Sequence, residues 1–168
     1  PCTMPQCVED TQKIWTYARE HWQTVGLFGV SMGAYIGLAA TANEPPAFAW
    51  LLSPTIAMGR TIEAMMRRDA VTPEALKKAG RIQTAVGQVY WWADYTFVAL
   101  HPAKAACKTA ILYGAKDDLT SLTEMQEFAK ENDCELTVSG VSAHWFHTND
   151  DLAVFDAWLK NQTARVAG

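Results

Sequence analysis

Several features that would assign the chain to a particular class of protein are scarce or missing from its 168 residues. No apolar run approaches the roughly 20 residues that a helix needs to cross a bilayer, so we expect no membrane partner. Acidic side chains outnumber basic ones by 18 to 14, and the net charge of −4 argues against a general nucleic-acid-binding surface. Internal repeats, low-complexity tracts and long blocks of like charge are also missing.

Cysteine is sparse, and its spacing fits neither a zinc site nor a dense disulfide framework. Of the 4 cysteines, Cys2 and Cys7 are close in sequence, but they lack zinc-finger spacing and no second Cys or His pair complements them. No secretory pattern of an apolar segment before a small-residue cleavage site is visible. We therefore expect reduced thiols and a cytoplasmic location.

What the sequence does contain is an alternation of strand-like apolar runs with helical patterns. Hydrophobic residues make up 49% of the chain and charged residues 19%, which is enough apolar surface for the core of one domain spanning residues 1–168. The alternation predicts an α/β fold with a mainly parallel sheet of about four strands and flanking helices. Its predicted strands are 25–30, 47–52, 109–113 and 135–138, and its predicted helices are 8–22, 31–41, 121–130 and 150–160.

The segment from residue 55 to 108 interrupts this alternation. Unstructured loops of that length are rare, and apolar residues recur in it at helical spacing, so we predict a helical insertion. Its methionine and aromatic side chains could line an acyl pocket or simply pack the insertion on its base; they are Met58, Met65, Met66, Tyr90, Trp91, Trp92, Tyr95 and Phe97. The candidates for substrate contact are Met58, Met65, Trp91 and Trp92.

One short motif combines glycine and serine in the setting that nucleophilic catalysis requires. Gly29-Val30-Ser31-Met32-Gly33 fits the pattern G-x-S-x-G, follows an apolar strand and opens a helix. A sharp turn there raises the serine hydroxyl at the carboxyl end of the sheet, and we expect both glycines to relieve clashes. The start of the following helix favours a developing oxyanion, with the backbone N–H of Met32 as the expected donor. The alternative is an ordinary serine that caps a helix.

A serine hydroxyl needs a base, and the later loops of the predicted sheet supply an acid and a histidine. Asp117 and Asp118 follow the third strand, and His144 and His147 follow the fourth. Because loops after parallel strands emerge at the same edge of a sheet, these side chains can converge with Ser31. Asp118 competes with Asp117 as the acid and His147 with His144 as the base, and each of them could instead be an ordinary loop residue.

These motifs resemble those of the bacterial α/β-hydrolase family, which includes serine esterases and lipases. The resemblance covers nearly the whole chain and lies in three stretches in order: 29–35, 111–117 and 144–148. It implies Ser31 as the nucleophile, His144 as the general base and Asp117 as its orienting acid, because the family's acid usually comes third after the loop glycine. The insertion would match the family's cap, and neither a metal nor an organic cofactor is implied.

The chain departs from the family's pattern ahead of the first motif. In the family, four strands and a helix precede the helix that leads to the elbow strand, whereas here the predicted helix 8–22 is the one element ahead of that strand. We therefore expect a truncated α/β-hydrolase fold, and the family's strand that carries the second oxyanion donor has no counterpart in the sequence.

The motifs predict a serine hydrolase that cleaves a small carboxylic ester or thioester through an acyl-enzyme on Ser31. Two alternatives stay open. One is a catalytically impaired half-hydrolase whose unpaired edge, residues 25–30, joins two copies into a homodimer. The other is a fragment of a longer hydrolase.

Overall fold

A parallel sheet of four strands forms the centre of the protein in the computed structural model, which describes residues 2–167. The elements in chain order are α1 (Met4–His21), β1 (Leu27–Val30), α2 (Met32–Ala40), β2 (Ala49–Leu52), α3 (Met58–Arg68), α4 (Pro73–Ala79), β3 (Arg81–Gln83), β4 (Val89–Trp91), α5 (Trp92–Leu100), β5 (Thr109–Gly114), α6 (Leu122–Glu131), β6 (Glu135–Ser139) and α7 (Asn149–Ala167).

The order of the strands in this sheet is β1-β2-β5-β6, and every neighbouring pair is parallel. The predicted α/β fold with a parallel sheet of about four strands is therefore confirmed. Parallel pairing places the carboxyl ends of all four strands at one edge of the sheet, where the connecting loops gather. Strands β1 and β6 lie at the two sides of the sheet, so each pairs with one neighbour among the described residues.

The core is built by alternation along β5, which is buried at every position. Ile111 and Tyr113 point to one face, where they pack with α2, β2 and α6. Ala110 and Leu112 point to the other face and pack with Trp158 of α7. A strand that is buried on both faces reads as a continuous apolar run, which explains why the sequence predicted β5 so closely.

Local sequence signals set several helix ends. Ser121 and Glu124 form a capping box at the start of α6, and each side chain bonds the backbone N–H of the other residue. Helix α4 begins with Thr72 as its N-cap and Pro73 in its first turn, and it ends at Gly80, whose φ of 71° suits glycine. No helix in residues 2–167 combines the length and apolar character needed to cross a membrane.

The insertion is not wholly helical, which corrects the sequence-based prediction. It contains α3, α4 and α5, but a two-stranded antiparallel hairpin, β3–β4, separates α4 from α5. The hairpin turn closes at Gly87, which has a φ of 87°. Tyr90 and Trp91, which lie in the insertion predicted to be helical, belong to β4, because aromatic side chains next to Val89 favour a strand once a partner strand is available.

A matched pair of isoleucine substitutions tests this description of the core. Ile111→Ala removes a side chain that is 0% exposed and should lower the free energy of unfolding by roughly 2–5 kcal/mol, because it leaves a cavity. Ile14→Ala makes the same change at a position that is 69% exposed and should alter it by less than about 0.5 kcal/mol. Urea unfolding followed by circular dichroism measures both, and equal effects would contradict the assigned core.

Candidate active site

Ser31 occupies a sharp turn between β1 and α2. Its backbone has a φ of 51° and a ψ of −125°, a conformation that non-glycine residues rarely adopt. Its N–H donates to the carbonyl of Leu52, and its own carbonyl accepts from the N–H groups of Ala34 and Thr55, at 3.0, 3.1 and 3.1 Å. These three backbone bonds fix the strained residue at the carboxyl end of the sheet.

The two glycines of the motif have different roles. A Cβ on Gly29 would lie 2.6 Å from the Cα of Ala34, so glycine is required where the helix folds back over the strand. A Cβ on Gly33 would meet nothing within 4 Å. The expectation that both glycines relieve clashes is therefore wrong for Gly33, because its Cα faces open space.

The structure brings three of the predicted side chains into one chain of hydrogen bonds. The distance from Ser31 Oγ to His144 Nε2 is 2.8 Å, and that from His144 Nδ1 to Asp117 Oδ2 is 2.7 Å. Both side chains of the His–Asp pair are 1% exposed. With a proton on Nδ1 donated to Asp117, the free lone pair of Nε2 accepts the hydroxyl proton of Ser31. This arrangement allows His144 to withdraw that proton.

The alternative acid and base lie elsewhere on the same loops. Asp118 is exposed, and it is Asp117 that contacts the imidazole of His144. His147 is exposed, and its Nδ1 lies 2.8 Å from the carbonyl oxygen of Trp145.

The acid loop and the histidine loop are packed directly against each other. A Cβ on Gly114 would lie 2.5 Å from the carbonyl oxygen of Ala143 and 2.6 Å from that of Ser142. Where the two loops meet, the N–H of Lys116 also donates to the carbonyl oxygen of Ser142 at 3.0 Å. A glycine at the end of β5 therefore lets the backbone of the histidine loop approach closely enough for His144 to reach Asp117.

The carboxylate of Asp117 is held in its ionised form. Burial alone raises its pKa, but the hydrogen bond from His144 and those from the N–H groups of Leu119 and Thr120 outweigh burial. The pKa of Asp117 therefore lies below its ordinary value. The Leu119 and Thr120 bonds to Oδ1 measure 2.8 and 3.1 Å, which leaves Oδ2 directed at the imidazole.

Thr55 is a contact of the serine that the sequence did not predict. Its buried hydroxyl Oγ1 lies 3.3 Å from Ser31 Oγ, in addition to the backbone bond between the two residues. The sequence signal that could have identified Thr55 is its position just after β2, at the same edge of the sheet as the other loops.

On the other side of the turn, Met32 is the first residue of α2, so its N–H has no acceptor within the helix and is available to an oxyanion.

A cavity of about 260 Å³ opens beside Ser31 and lies mainly against the insertion. Three of the four predicted contact residues line it, namely Met58, Met65 and Trp91. Trp92 does not, because it stacks on Tyr95 at 5.4 Å between ring centroids and lies under the ammonium group of Lys77. The full lining is Met4, Ser31, Met32, Thr55, Met58, Thr61, Ile62, Met65, Gln88, Val89, Tyr90, Trp91, Asp94 and Leu119.

Metal ligation finds no support in the described part of the chain. Within residues 2–167, no three His, Cys, Asp or Glu side chains are grouped so that they could hold a metal ion.

Solved structures of α/β hydrolases share this architecture, although no protein-family model matches the chain and no curated protein sequence is significantly similar. Est1E from Butyrivibrio proteoclasticus has a TM-score of 0.78 and 15% identity, over 99% of this chain and 72% of that one. Alpha/beta hydrolase domain-containing protein 10 from mouse has a TM-score of 0.70 and 13% identity, over 99% and 71%. The esterase Pf2001 from Pyrococcus furiosus has a TM-score of 0.63 and 17% identity, over 96% and 62%.

These likenesses define the class of fold. The chain has an α/β-hydrolase fold, as the three sequence motifs predicted, and it spans 62 to 72% of the length of these three structures. At such low identities the likeness extends to the fold, and the roles of individual residues stay predictions.

The lowered pKa of Asp117 predicts how its contribution to stability depends on pH. The stabilisation is complete above the ordinary aspartate pKa of about 3.9 and is lost as the pH falls through the lower folded-state pKa. Asp117→Asn should therefore reduce the free energy of unfolding by roughly 1–3 kcal/mol at neutral pH, and the deficit should shrink below a pH of about 4. Urea midpoints measured across this range provide the test.

The matched control is Asp118→Asn, which makes the same change at the exposed neighbouring residue. It should change the free energy of unfolding by less than about 0.5 kcal/mol at neutral pH. A deficit for Asp117→Asn that stays constant as the pH falls would contradict the assigned charge state.

Proposed function

We propose that the chain is a serine hydrolase that cleaves a small carboxylic ester or thioester through an acyl-enzyme on Ser31. The observation that carries the proposal is the continuous set of contacts from Ser31 through His144 to Asp117 at the carboxyl edge of the sheet. The hydrolases and esterases among the structural neighbours support the same class of reaction.

In the first half-reaction, the hydroxyl proton of Ser31 passes to His144 Nε2 while Oγ attacks the carbonyl carbon of the substrate. The C=O electron pair moves to oxygen and forms a tetrahedral oxyanion. The imidazolium is stabilised by the carboxylate of Asp117, which also keeps the ring in orientation. Collapse of the intermediate expels the alcohol or thiol, which takes its proton from His144 and leaves the acyl group esterified to Ser31.

In the second half-reaction, water replaces the alcohol or thiol. It gives a proton to His144 Nε2 as its oxygen attacks the acyl carbon, and a second tetrahedral oxyanion forms. When that intermediate collapses, the proton returns to Ser31 Oγ and the carboxylic acid leaves. The free enzyme is restored without an oxidant, a reductant or a further reactant.

Two donors are placed to stabilise the oxyanion. The backbone N–H of Met32 is the first, at the positive end of α2. The hydroxyl of Thr55 is the second, since it lies 3.3 Å from Ser31 Oγ and the oxyanion is only two bonds from that atom. A single oxyanion donor contributes a factor of about 100–1,000 in turnover, so the Thr55 hydroxyl would add a contribution of that order to the one from Met32.

Removal of the nucleophile tests the proposal. Ser31→Ala should abolish labelling by a fluorophosphonate probe and should reduce hydrolysis of p-nitrophenyl acetate by at least a factor on the order of 10³, because no acyl-enzyme can form. Labelling is read on a gel and hydrolysis by absorbance of the nitrophenolate. Folded wild-type protein that shows no Ser31-dependent signal would refute the proposal.

The chain offers matched controls for the base. His144→Gln should lose a similar factor, whereas His147→Gln should retain wild-type turnover, because the exposed imidazole of His147 bonds a loop carbonyl instead of Ser31. Circular dichroism of each variant separates lost chemistry from lost folding.

Self-association through the edge of the sheet is the second candidate function. Leu27 and Ser31 donate their N–H groups to the carbonyls of Phe48 and Leu52, on the β2 side. The alternate amides of β1, those of Phe28 and Val30, therefore face its other side. The side chains of Phe28 and Val30 are 48% and 41% exposed. An apolar edge of this kind is a template for pairing, and two copies related by a two-fold axis would form one continuous sheet.

A charged residue on this edge tests the homodimer. Wild-type protein should have twice the 18.6 kDa mass of the chain in light scattering, and Phe28→Lys should restore the monomer, because lysine opposes strand pairing. Val86→Lys places the same charge on the hairpin turn, at a residue that is 83% exposed, and should leave the dimer intact. A monomeric wild type would rule out this association.

A further inference from the structure

The cavity beside Ser31 contains one charged side chain in an otherwise neutral lining. Among the described residues that border it, Asp94 is the single acidic or basic group. Most of the others are apolar, with four methionines and the side chains of Ile62, Val89, Trp91 and Leu119. Asp94 is half-buried, so its carboxylate loses part of its solvation and is stabilised by a hydrogen-bond donor.

One oxygen of Asp94 already has such a partner within the protein. The N–H of Met4 donates to Oδ1 at 2.6 Å, which joins the start of α1 to the first turn of α5. No other hydrogen bond to this carboxylate is made by residues 2–167. The second oxygen, Oδ2, accepts no hydrogen bond from these residues, and because Asp94 borders the cavity, its lone pairs are available to a donor on a ligand there. Burial raises the pKa of Asp94, and the Met4 bond offsets this only in part.

The surroundings favour a neutral donor over a cation as the partner of Oδ2. The carboxylate lies in the first turn of α5, whose positive end compensates part of its charge, as does the Met4 N–H. An ammonium group would lose more hydration than a hydroxyl on entering a cavity lined mainly by apolar side chains. A hydroxyl at the end of an apolar chain satisfies Oδ2 and fills the remainder of the cavity.

We propose that this cavity is an acyl subsite for an ester whose apolar acyl chain ends in a hydroxyl group, which donates its hydrogen bond to Asp94. The assignment rests on the proposed function, because Ser31 must lie at the ester end of the chain. The volume of about 260 Å³ limits the acyl group to a small one, since ligand cavities usually span about 300–1,000 Å³. The flexible methionines suit chains of differing shape.

The substitution Asp94→Asn tests the role of Oδ2 separately from that of Oδ1. The amide oxygen of asparagine can keep the Met4 bond, so the NH₂ group takes the place of Oδ2. An NH₂ group has no lone pair to accept a hydroxyl proton. The variant therefore changes the acceptor that faces the cavity into a donor while it retains the link between α1 and α5.

The experiment compares p-nitrophenyl esters of straight acyl chains of increasing length, each made with a terminal methyl, hydroxyl or ammonium group. For the best-fitting length, wild-type kcat/KM should be about tenfold higher for hydroxyl than for methyl, the value of one hydrogen bond. In Asp94→Asn the ratio of kcat/KM for the hydroxyl ester to that for the methyl ester should fall to about one. Asp156→Asn, the same change on the exposed face of α7, should keep the wild-type preference.

A binding measurement distinguishes failure of the subsite from failure of the hydrolase. Methyl ketones with the same terminal groups cannot be hydrolysed, and their binding is followed by ligand-observed NMR. If Ser31-dependent turnover is present but the hydroxyl and methyl esters react equally, the subsite is wrong and the hydrolase stands. If turnover is absent but the hydroxyl ketones bind with an Asp94-dependent preference, the subsite stands alone. A preference for ammonium, or no preference in either assay, overturns the subsite.

Discussion

Parallel pairing of the four central strands is the constraint on which the candidate site depends. Ser31, Thr55, Asp117 and His144 come from distant parts of the chain, yet each follows the carboxyl end of a different strand. The ladder of backbone bonds also continues past the strand ends, where Ser31 N–H donates to Leu52, Ser53 to Leu112 and Ala115 to Ser139. The first residue of each of these loops is thus positioned by the sheet itself, and the side chains need only short loops to meet.

Close packing of the histidine loop positions the imidazole of His144 at the edge of the sheet. Gly114 admits the backbone of Ser142 and Ala143, and the hydroxyls of Ser139 and Ser142 lie 2.7 Å apart beneath it. On the far side, Asp151 accepts from the N–H groups of His147 and Thr148, which ties the loop to the start of α7. Hydrogen bonds from Ser142 and Thr148 hold the pKa of Asp151 well below its usual range. The imidazole of His144 is therefore placed by its neighbours on both sides.

The sequence predicted those features whose signals are local. Each of the four predicted strands overlaps a strand of the structure. The order of serine, acid and histidine was sufficient to predict which loops would converge. The distinction between Asp117 and Asp118 came only from the family resemblance, through the position of the acid after the loop glycine. The residue types alone could not make it, since it depends on which carboxylate meets the imidazole of a loop from the next strand.

The features that the sequence missed are set by tertiary contacts. Thr55 is an ordinary residue after a strand until Ser31 is placed beside it. Trp91 and Trp92 look alike in sequence, yet one lines the cavity and the other packs under Lys77, because the chain changes there from β4 to α5. The hairpin β3–β4 depends on a partner strand, so helical spacing alone gave the wrong secondary structure for Tyr90.

The strain at Ser31 and the arrangement of the cavity suggest a division of roles within the fold. A non-glycine residue at a φ of 51° costs about 1–3 kcal/mol, and the backbone bonds from β2 and α2 offset this cost. The backbone of Ser31 is thereby fixed to the sheet. The cavity wall, in contrast, comes mainly from α1 and the insertion, which meet through the bond between Met4 and Asp94. Under the proposed function, substitutions in that wall would alter which acyl group fits without displacing His144 from Ser31, so specificity would change independently of the hydrogen-bonded chain that we propose activates the serine.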